Sequence, residues 1–238
     1  MPLTDQKPFQ IFGLRLFHHL SSIKIGTDAV LLSAAIRRYA AADRVLDVGC
    51  GCGIIGLSFV KKFSNAFLTG IDLHRPSIEQ ATENSQINFL ENRSKFLCAD
   101  YQTFSTNEKF DLIVSNPPFF QNQLKSPKAI KNAARHGDDS LPHDVLIHKS
   151  AELLAGTLAL IVPYTYRNLF LLLAENKNLR PSHEIVIRSK PDSEIPIRVI
   201  LFFKKQIRSP SFFESHELVI RRSDNSFTDD YLDFVYQS

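Results

Sequence analysis

The chain has only three cysteines in 238 residues, and two of them, Cys50 and Cys52, are separated by a single glycine. So few exclude a disulfide framework and fit a reducing compartment. With no second cysteine pair, Cys-x-Cys reads as small turn residues rather than half of a metal site. Long apolar runs are missing as well. The longest, Leu153 to Val162, contains Gly156 and Thr157 and falls far short of the roughly 20 residues that span a bilayer. The opening residues Met1 to Pro8 lack a basic region followed by an apolar stretch, so no secretory leader is expected. There is no internal repeat or low-complexity tract. The formal net charge of +3 permits a polyanionic partner without demanding one. These absences predict a cytoplasmic, soluble, monomeric protein without a membrane partner or resident metal. It is read as a single domain over residues 1–238, with an N-terminal part to residue 42, a core sheet over 43–205 and an extension over 206–238.

What is present centres on Arg44 to Gly56. Val45, Leu46 and Val48 read as a short buried strand, followed by alternating glycines and an apolar helix start. Glycine lets a backbone turn sharply and approach a ligand closely, and the helix behind it offers free N–H groups. Two ligands compete for such a loop. Gly51-x-Gly53-x-x-Gly56, with Asp72 about 20 residues on, matches a dinucleotide fingerprint. Asp47, two residues before Gly49, argues against it, because a carboxylate repels a pyrophosphate. S-adenosylmethionine carries a sulfonium, an ammonium and a ribose, and an acid there suits it.

Downstream, strands and helices alternate. Strands are expected over 45–48, 66–71, 95–99, 111–115 and 157–162, with helices over 54–62, from Pro76 to about Phe89, near 145–154 and over 166–175. Strands near 184–188 and 198–203 are joined by Ser189 to Pro196 without a helix, so an antiparallel pair is expected. Upstream, residues 9–25 read as short strands or a hairpin with turns at Gly13 and Ser21-Ser22. A helix follows over 29–36, with Thr27 or Asp28 as its N-cap. Gly26-Thr27-Asp28 is either just that capped start or a segment lying over a cofactor pocket. Beyond residue 206 only a strand near Glu217–Arg222 and a helix from Thr228 are suggested.

In open α/β sheets ligands bind at the carboxyl ends of the strands. Asp47, Asp72 and Asp100 lie at or near three such ends. Asp47 is placed toward a ligand ammonium, Asp72 toward ribose hydroxyls and Asp100 toward an adenine amine; each alone is equally a helix cap. The fourth strand ends in Asn116-Pro117-Pro118-Phe119. Two prolines remove two N–H donors and fix the backbone, leaving carbonyl oxygens and the Asn116 side chain as acceptors around one spot. Such a spot holds a planar amine in line with a methyl donor and stabilises charge developing on its nitrogen, while Phe119 stacks on an extruded base. Asn-Pro-Pro is otherwise a turn signal.

These segments resemble the bacterial tRNA(Val) adenine-N6 methyltransferase family. The likeness runs from about Phe9 to Phe203 and rests on Lys24 to Leu32, Leu46 to Gly53, Leu112 to Phe119 and Ala133-Ala-Arg-His136. The family commonly has Thr at positions 50 and 52 and Tyr at position 119. The resemblance implies a Rossmann-like class I methyltransferase fold: a seven-stranded, mostly parallel α/β sheet with an antiparallel final strand and helices on both faces. It implies S-adenosylmethionine as cofactor, bound by Thr27, Asp28, Asp47, Gly49, Gly51, Gly53, Asp72, Leu73, Asp100, Tyr101 and Asn116. The implied reaction is N6-methylation of an adenosine in tRNA, with Asn116, Pro117, Pro118 and Phe119 catalytic. Lys125, Lys128, Lys131, Arg135 and His136, in a loop without an acid before Asp138, read as phosphate contacts or as a solvated basic loop. Lys204, Lys205, Arg208, Arg221 and Arg222 extend the basic surface. Guanine-N2 methylation of rRNA, glutamine methylation of a protein, and nucleotide binding without methyl transfer are the rival readings.

Overall fold

The computed structural model describes residues 7–117, 141–205 and 213–238. Pro118, Phe119, Lys125, Lys128, Lys131, Arg135, His136 and Arg208 lie outside these residues.

The chain opens with a hairpin, β1 (Phe9–Ile11) and β2 (Leu14–Leu16), in which Phe12 and Gly13 both have positive φ, 54° and 71°. That is the two-residue turn whose twist matches paired strands. Helix α1 (Thr27–Tyr39) buries every residue from Ala29 to Ile36. Neither Thr27 nor Asp28 caps it. Gly26 occupies the N-cap, Thr27 is already helical, and Asp28 turns its carboxylate to Arg198 at 2.8 Å.

The regular part then follows: β3 (Arg44–Val48), α2 (Ile54–Lys62), β4 (Phe67–Asp72), α3 (Arg75–Ile87), β5 (Ser94–Cys98), β6 (Phe110–Ser115), α4 (His143–Leu153), β7 (Leu154–Pro163), α5 (Arg167–Glu175), β8 (Leu179–Arg188), β9 (Arg198–Lys205), β10 (Glu214–Val219) and α6 (Asp229–Tyr236). One sheet among the described residues takes the order β10-β8-β9-β7-β6-β3-β4-β5. Strand β9 runs antiparallel to both β7 and β8, and all other pairings are parallel. The sheet thus has eight strands rather than seven. The extra one is β10, which pairs parallel to β8 at the edge, so the last strand in the chain is not the antiparallel one.

Alternation along each strand sends side chains to two cores. Val45, Val114, Ile161, Ile185 and Ile200 face α1, α2 and α6, whereas Leu46, Val48, Ile113, Leu160 and Leu201 face α4 and α5. Burial on both faces explains why the central strands read as continuous apolar runs. Helix α6 is capped by Thr228, whose Oγ1 accepts from the Tyr231 N–H at 3.1 Å. It lies over α1, where Arg38 donates to the Asp233 carbonyl at 2.9 Å and Arg37 to the Ser238 carbonyl at 3.0 Å.

Candidate functional site

Strand β3 lies between β4 and β6, so the ends of all three converge at Gly49. The Gly49 and Cys50 amides donate to the Ile71 carbonyl at 2.8 and 3.0 Å, and Gly53 N–H closes a turn on the Cys50 carbonyl at 2.8 Å. Gly49, Gly51 and Gly53 have φ of 70°, 55° and 86°. At Gly53, the N-cap of α2, a Cβ would also sit 3.0 Å from Leu57 Cδ1 and 3.3 Å from the Phe96 ring. Only glycine fits that position.

Because Gly53 has no side chain, the cap for α2 comes from the neighbouring strand. Asp47 is fully buried, and its Oδ2 accepts from the Gly56 N–H at 2.9 Å. Its Oδ1 has no partner among the described residues. Burial pushes the Asp47 carboxyl up to about 7; the Gly56 N–H opposes that and the charge of Asp72 reinforces it. A buried, half-satisfied acid beside a glycine cradle fits a cationic ligand group.

Asp72, at the end of β4, holds the loop directly: Oδ2 accepts from Gly51 N–H at 2.9 Å and Oδ1 from His74 N–H at 2.8 Å. Leu73 is half-exposed beside it. Asp100 makes a local turn, its Oδ1 accepting from Gln102 N–H at 2.8 Å. The Tyr101 ring is buried in the core under α4, its hydroxyl is 3.2 Å from Ser150 Oγ, and burial pushes the phenol up to about 12. Thr27 is exposed on the first turn of α1. The Cys50 and Cys52 thiols are buried and held protonated, Cys52 at about 11.

From the other side of β3, Ser115 Oγ donates to the Val48 carbonyl at 2.8 Å and ties the ends of β3 and β6 together. The next residue, Asn116, has a buried Oδ1 without a partner among the described residues, and Pro117 is buried after it.

One wall escaped the sequence. Along one side of α3, Asn84 Oδ1 accepts from Phe17 N–H at 2.7 Å, and its Nδ2 donates to the Phe17 and Cys52 carbonyls at 2.8 and 2.9 Å. Asn88 does the same for Arg15, accepting at 2.9 Å and donating at 2.8 Å. Gln80 and Ser77 accept from the amides of Leu20 and Ser22, both at 3.3 Å. Residues 15–22 are thereby strapped onto α3 and the glycine loop. The signal was the spacing of Gln80, Asn84 and Asn88, amides four residues apart on one helical side.

A methyltransferase small domain family model matches residues 20–144. The fold is similar to that of a predicted O-methyltransferase from Agrobacterium tumefaciens, at TM-score 0.65 and 18% identity over 87% of this chain and 95% of that one. It is also similar to a class I S-adenosylmethionine-dependent methyltransferase from Listeria monocytogenes, at TM-score 0.57 and 17% identity over 82% and 68%. Fold and site together define a class I methyltransferase whose cofactor is S-adenosylmethionine. Among curated relatives, the tRNA1(Val) (adenine(37)-N6)-methyltransferase of Phocaeicola vulgatus is 34% identical over 94% of both chains. That of Parabacteroides distasonis is 36% identical over 81% of both, and that of Vibrio parahaemolyticus 28% over 91% and 89%. The chain belongs to the tRNA1(Val) (adenine(37)-N6)-methyltransferase family.

Proposed function

We propose that this enzyme methylates N6 of an adenosine in tRNA, as its relatives' names describe, with position 37 of tRNA1(Val) as the substrate. S-adenosylmethionine, when bound, supplies an electrophilic methyl group. Asp47 receives the ammonium end on its free Oδ1. Asp72 holds the glycine loop through Gly51 and keeps lone pairs for the ribose hydroxyls.

The observation that carries the reading is the buried Oδ1 of Asn116, which has no partner among the described residues, at the end of β6, one strand from the glycine loop. An acceptor without a donor costs stability and is retained where a ligand supplies the donor. An exocyclic amine N–H is such a donor. Pro117 has no N–H of its own to compete for that acceptor. Holding the amine there orients its nitrogen and stabilises the positive charge that grows on it. Phe119 stacks the base, and Lys125, Lys128, Lys131, Arg135 and His136 contact phosphates. Of the remaining basic residues, Arg221 is engaged locally with the Phe227 ring at 4.3 Å, and Arg222 with Asp229 at 2.6 Å.

Nucleoside analysis of total tRNA from cells with and without the gene tests the reaction. Loss of N6-methyladenosine is expected; an unchanged level overturns the proposal and moves it to guanine in rRNA, then to protein glutamine. Asn116→Ala tests the site: cofactor affinity stays within a few-fold while turnover falls about 10²-fold, the scale of one lost transition-state hydrogen bond. A turnover loss of under threefold sinks the amine-acceptor role.

A further inference from the structure

Away from this site, three side chains that ligate metals converge on the outer edge of the sheet. Glu214 and His216 are two residues apart on β10 and so point to the same face, and His183 on β8 is the register partner of Glu214. One ligand atom from each lies within 4.8 Å of the other two. Glu214 Oε2 is 3.5 Å from His183 Nδ1 and 3.9 Å from His216 Nε2. Tyr39, the last residue of α1, closes the cluster, its ring 4.2 Å from that of His183 and 6.4 Å from that of His216.

We propose that His183, Glu214 and His216 form a divalent transition-metal site of the zinc class, which clamps the edge strand β10 to the sheet. Three arguments carry it. First, both separations exceed the usual 2.7–3.2 Å of a hydrogen bond, and the shorter, from His183 to Glu214, is at most a weak one. They suit ligands that share a cation about 2.0–2.2 Å from each, since such ligands stand at most about 4 Å apart. Second, two edges of the triangle already meet that limit. The third needs a shift of under about 1 Å, available because Glu214 and His216 are exposed and only His183, at 7% exposure, is fixed. Third, the donor set of two imidazoles and a carboxylate selects zinc, copper, nickel or cobalt over magnesium or calcium.

The neighbouring acid does not compete for the role. Glu184 points to the opposite face, where it takes two hydrogen bonds from Arg167, at 2.7 and 3.0 Å, and one from Ser215 at 2.9 Å. Strand β8 is separated from β6, which carries Asn116, by β9 and β7, or about 14 Å at roughly 4.8 Å per strand. The clamp is therefore structural and leaves methyl transfer alone. It departs from the metal-free expectation of the sequence, since β8 and β10 bring together residues 31 positions apart (214 less 183) with no ligand spacing to betray them.

The test uses tag-free full-length protein stripped with chelator and then titrated with Zn²⁺ by calorimetry and with Co²⁺ by visible absorption. One ion per chain is expected, with a melting temperature about 5 °C higher at a 100-fold excess over Kd. His216→Ala and Glu214→Gln, both at exposed positions, retain the fold and lose at least about 10-fold in affinity. Cys98→Ser, which changes the exposed thiol, leaves binding unchanged. Absence of saturable binding up to about 1 mM, wild-type affinity in both ligand variants, or loss of binding in Cys98→Ser each overturns the site. Turnover of the stripped enzyme stays equal to that of the loaded one; a large difference overturns the structural role.

Discussion

The carboxamide of Asn84 on α3 donates to the carbonyl of Cys52 at 2.9 Å, and with its other contacts binds the backbone of Phe17 in both directions. One fully buried side chain thus couples the glycine loop to a segment 67 residues before Asn84 itself. Beyond Leu16, the end of β2, the strap has no sheet partner among the described residues and depends on such side chains for its backbone hydrogen bonds.

Asn84→Asp is therefore expected to act on both stability and binding. A carboxylate of the same shape faces two carbonyl oxygens that it cannot serve, and each lost pairing of a buried group costs about 1–3 kcal/mol. Denaturant unfolding is expected to show a loss of roughly 3 kcal/mol. Calorimetry of the folded fraction is expected to show S-adenosylmethionine binding at least 10-fold weaker, with turnover at saturation changed under threefold. Unchanged affinity in a destabilised protein would reduce Asn84 to a fold residue.

Asp47 carries a pH dependence whose sign is fixed by its environment. Its carboxyl titrates near 7 in the folded chain against an ordinary 3.8, so between those values the folded state holds more protons than the unfolded one. Stability accordingly falls as pH rises from about 4 to about 7, by at most ~1.4 kcal/mol per pH unit. Asp47→Asn keeps the acceptor for Gly56 and removes this slope, so the variant gains on wild type between pH 5 and pH 8 in denaturation experiments. Cofactor binding moves the other way. Wild-type affinity rises from pH 6 to pH 7.5 as Asp47 ionises, whereas the variant binds weakly at both. A wild-type affinity flat across that range would remove the ammonium from Asp47.

Gly156 separates fold from function. A Cβ there would stand 2.3 Å from the backbone oxygen of Asp111, beside the register shift between Phe110 and Leu112. Gly156→Ala should overpack β6 against β7 and cost about 1–3 kcal/mol by chemical denaturation. Because the clash lies at the start of both strands, cofactor affinity and turnover of the folded enzyme remain those of wild type.

How much of this the sequence disclosed depends on the range of the interaction. Helix α2 is read with its observed limits, Ile54–Lys62, because the glycines before it and the apolar run within it are local signals. The N-cap of α1 is misread at Thr27 or Asp28, since the fate of Asp28 is decided by Arg198, 170 residues away. Asp47 and Asp72 are read from the sequence as candidate site acids, but not their grip on the Gly56 and Gly51 amides, which exists only once strand, loop and helix are folded together. Tyr101 follows a strand end as a ligand contact would, yet its ring reaches the core under α4. Asn84 and Asn88 sit in a helix rich in polar residues, where a buried amide and a solvated one look alike until the strap is laid over them. Strand β10 is expected near Glu217–Arg222 and found at Glu214–Val219, and its edge position rests on a parallel pairing that no short-range pattern encodes.

The strap also sets a timetable for synthesis. The Phe17 backbone waits for Asn84, and the Arg15 backbone for Asn88, 73 residues later. At roughly 5–20 residues per second, the ribosome leaves the hairpin without its partners for several seconds. During that interval the apolar side chains of Ile11, Leu14 and Leu16, buried in the finished enzyme, have no core to enter. The hairpin and strap thus wait for α3 before they dock, and the nascent chain has no complete cofactor pocket until α3 has left the ribosome.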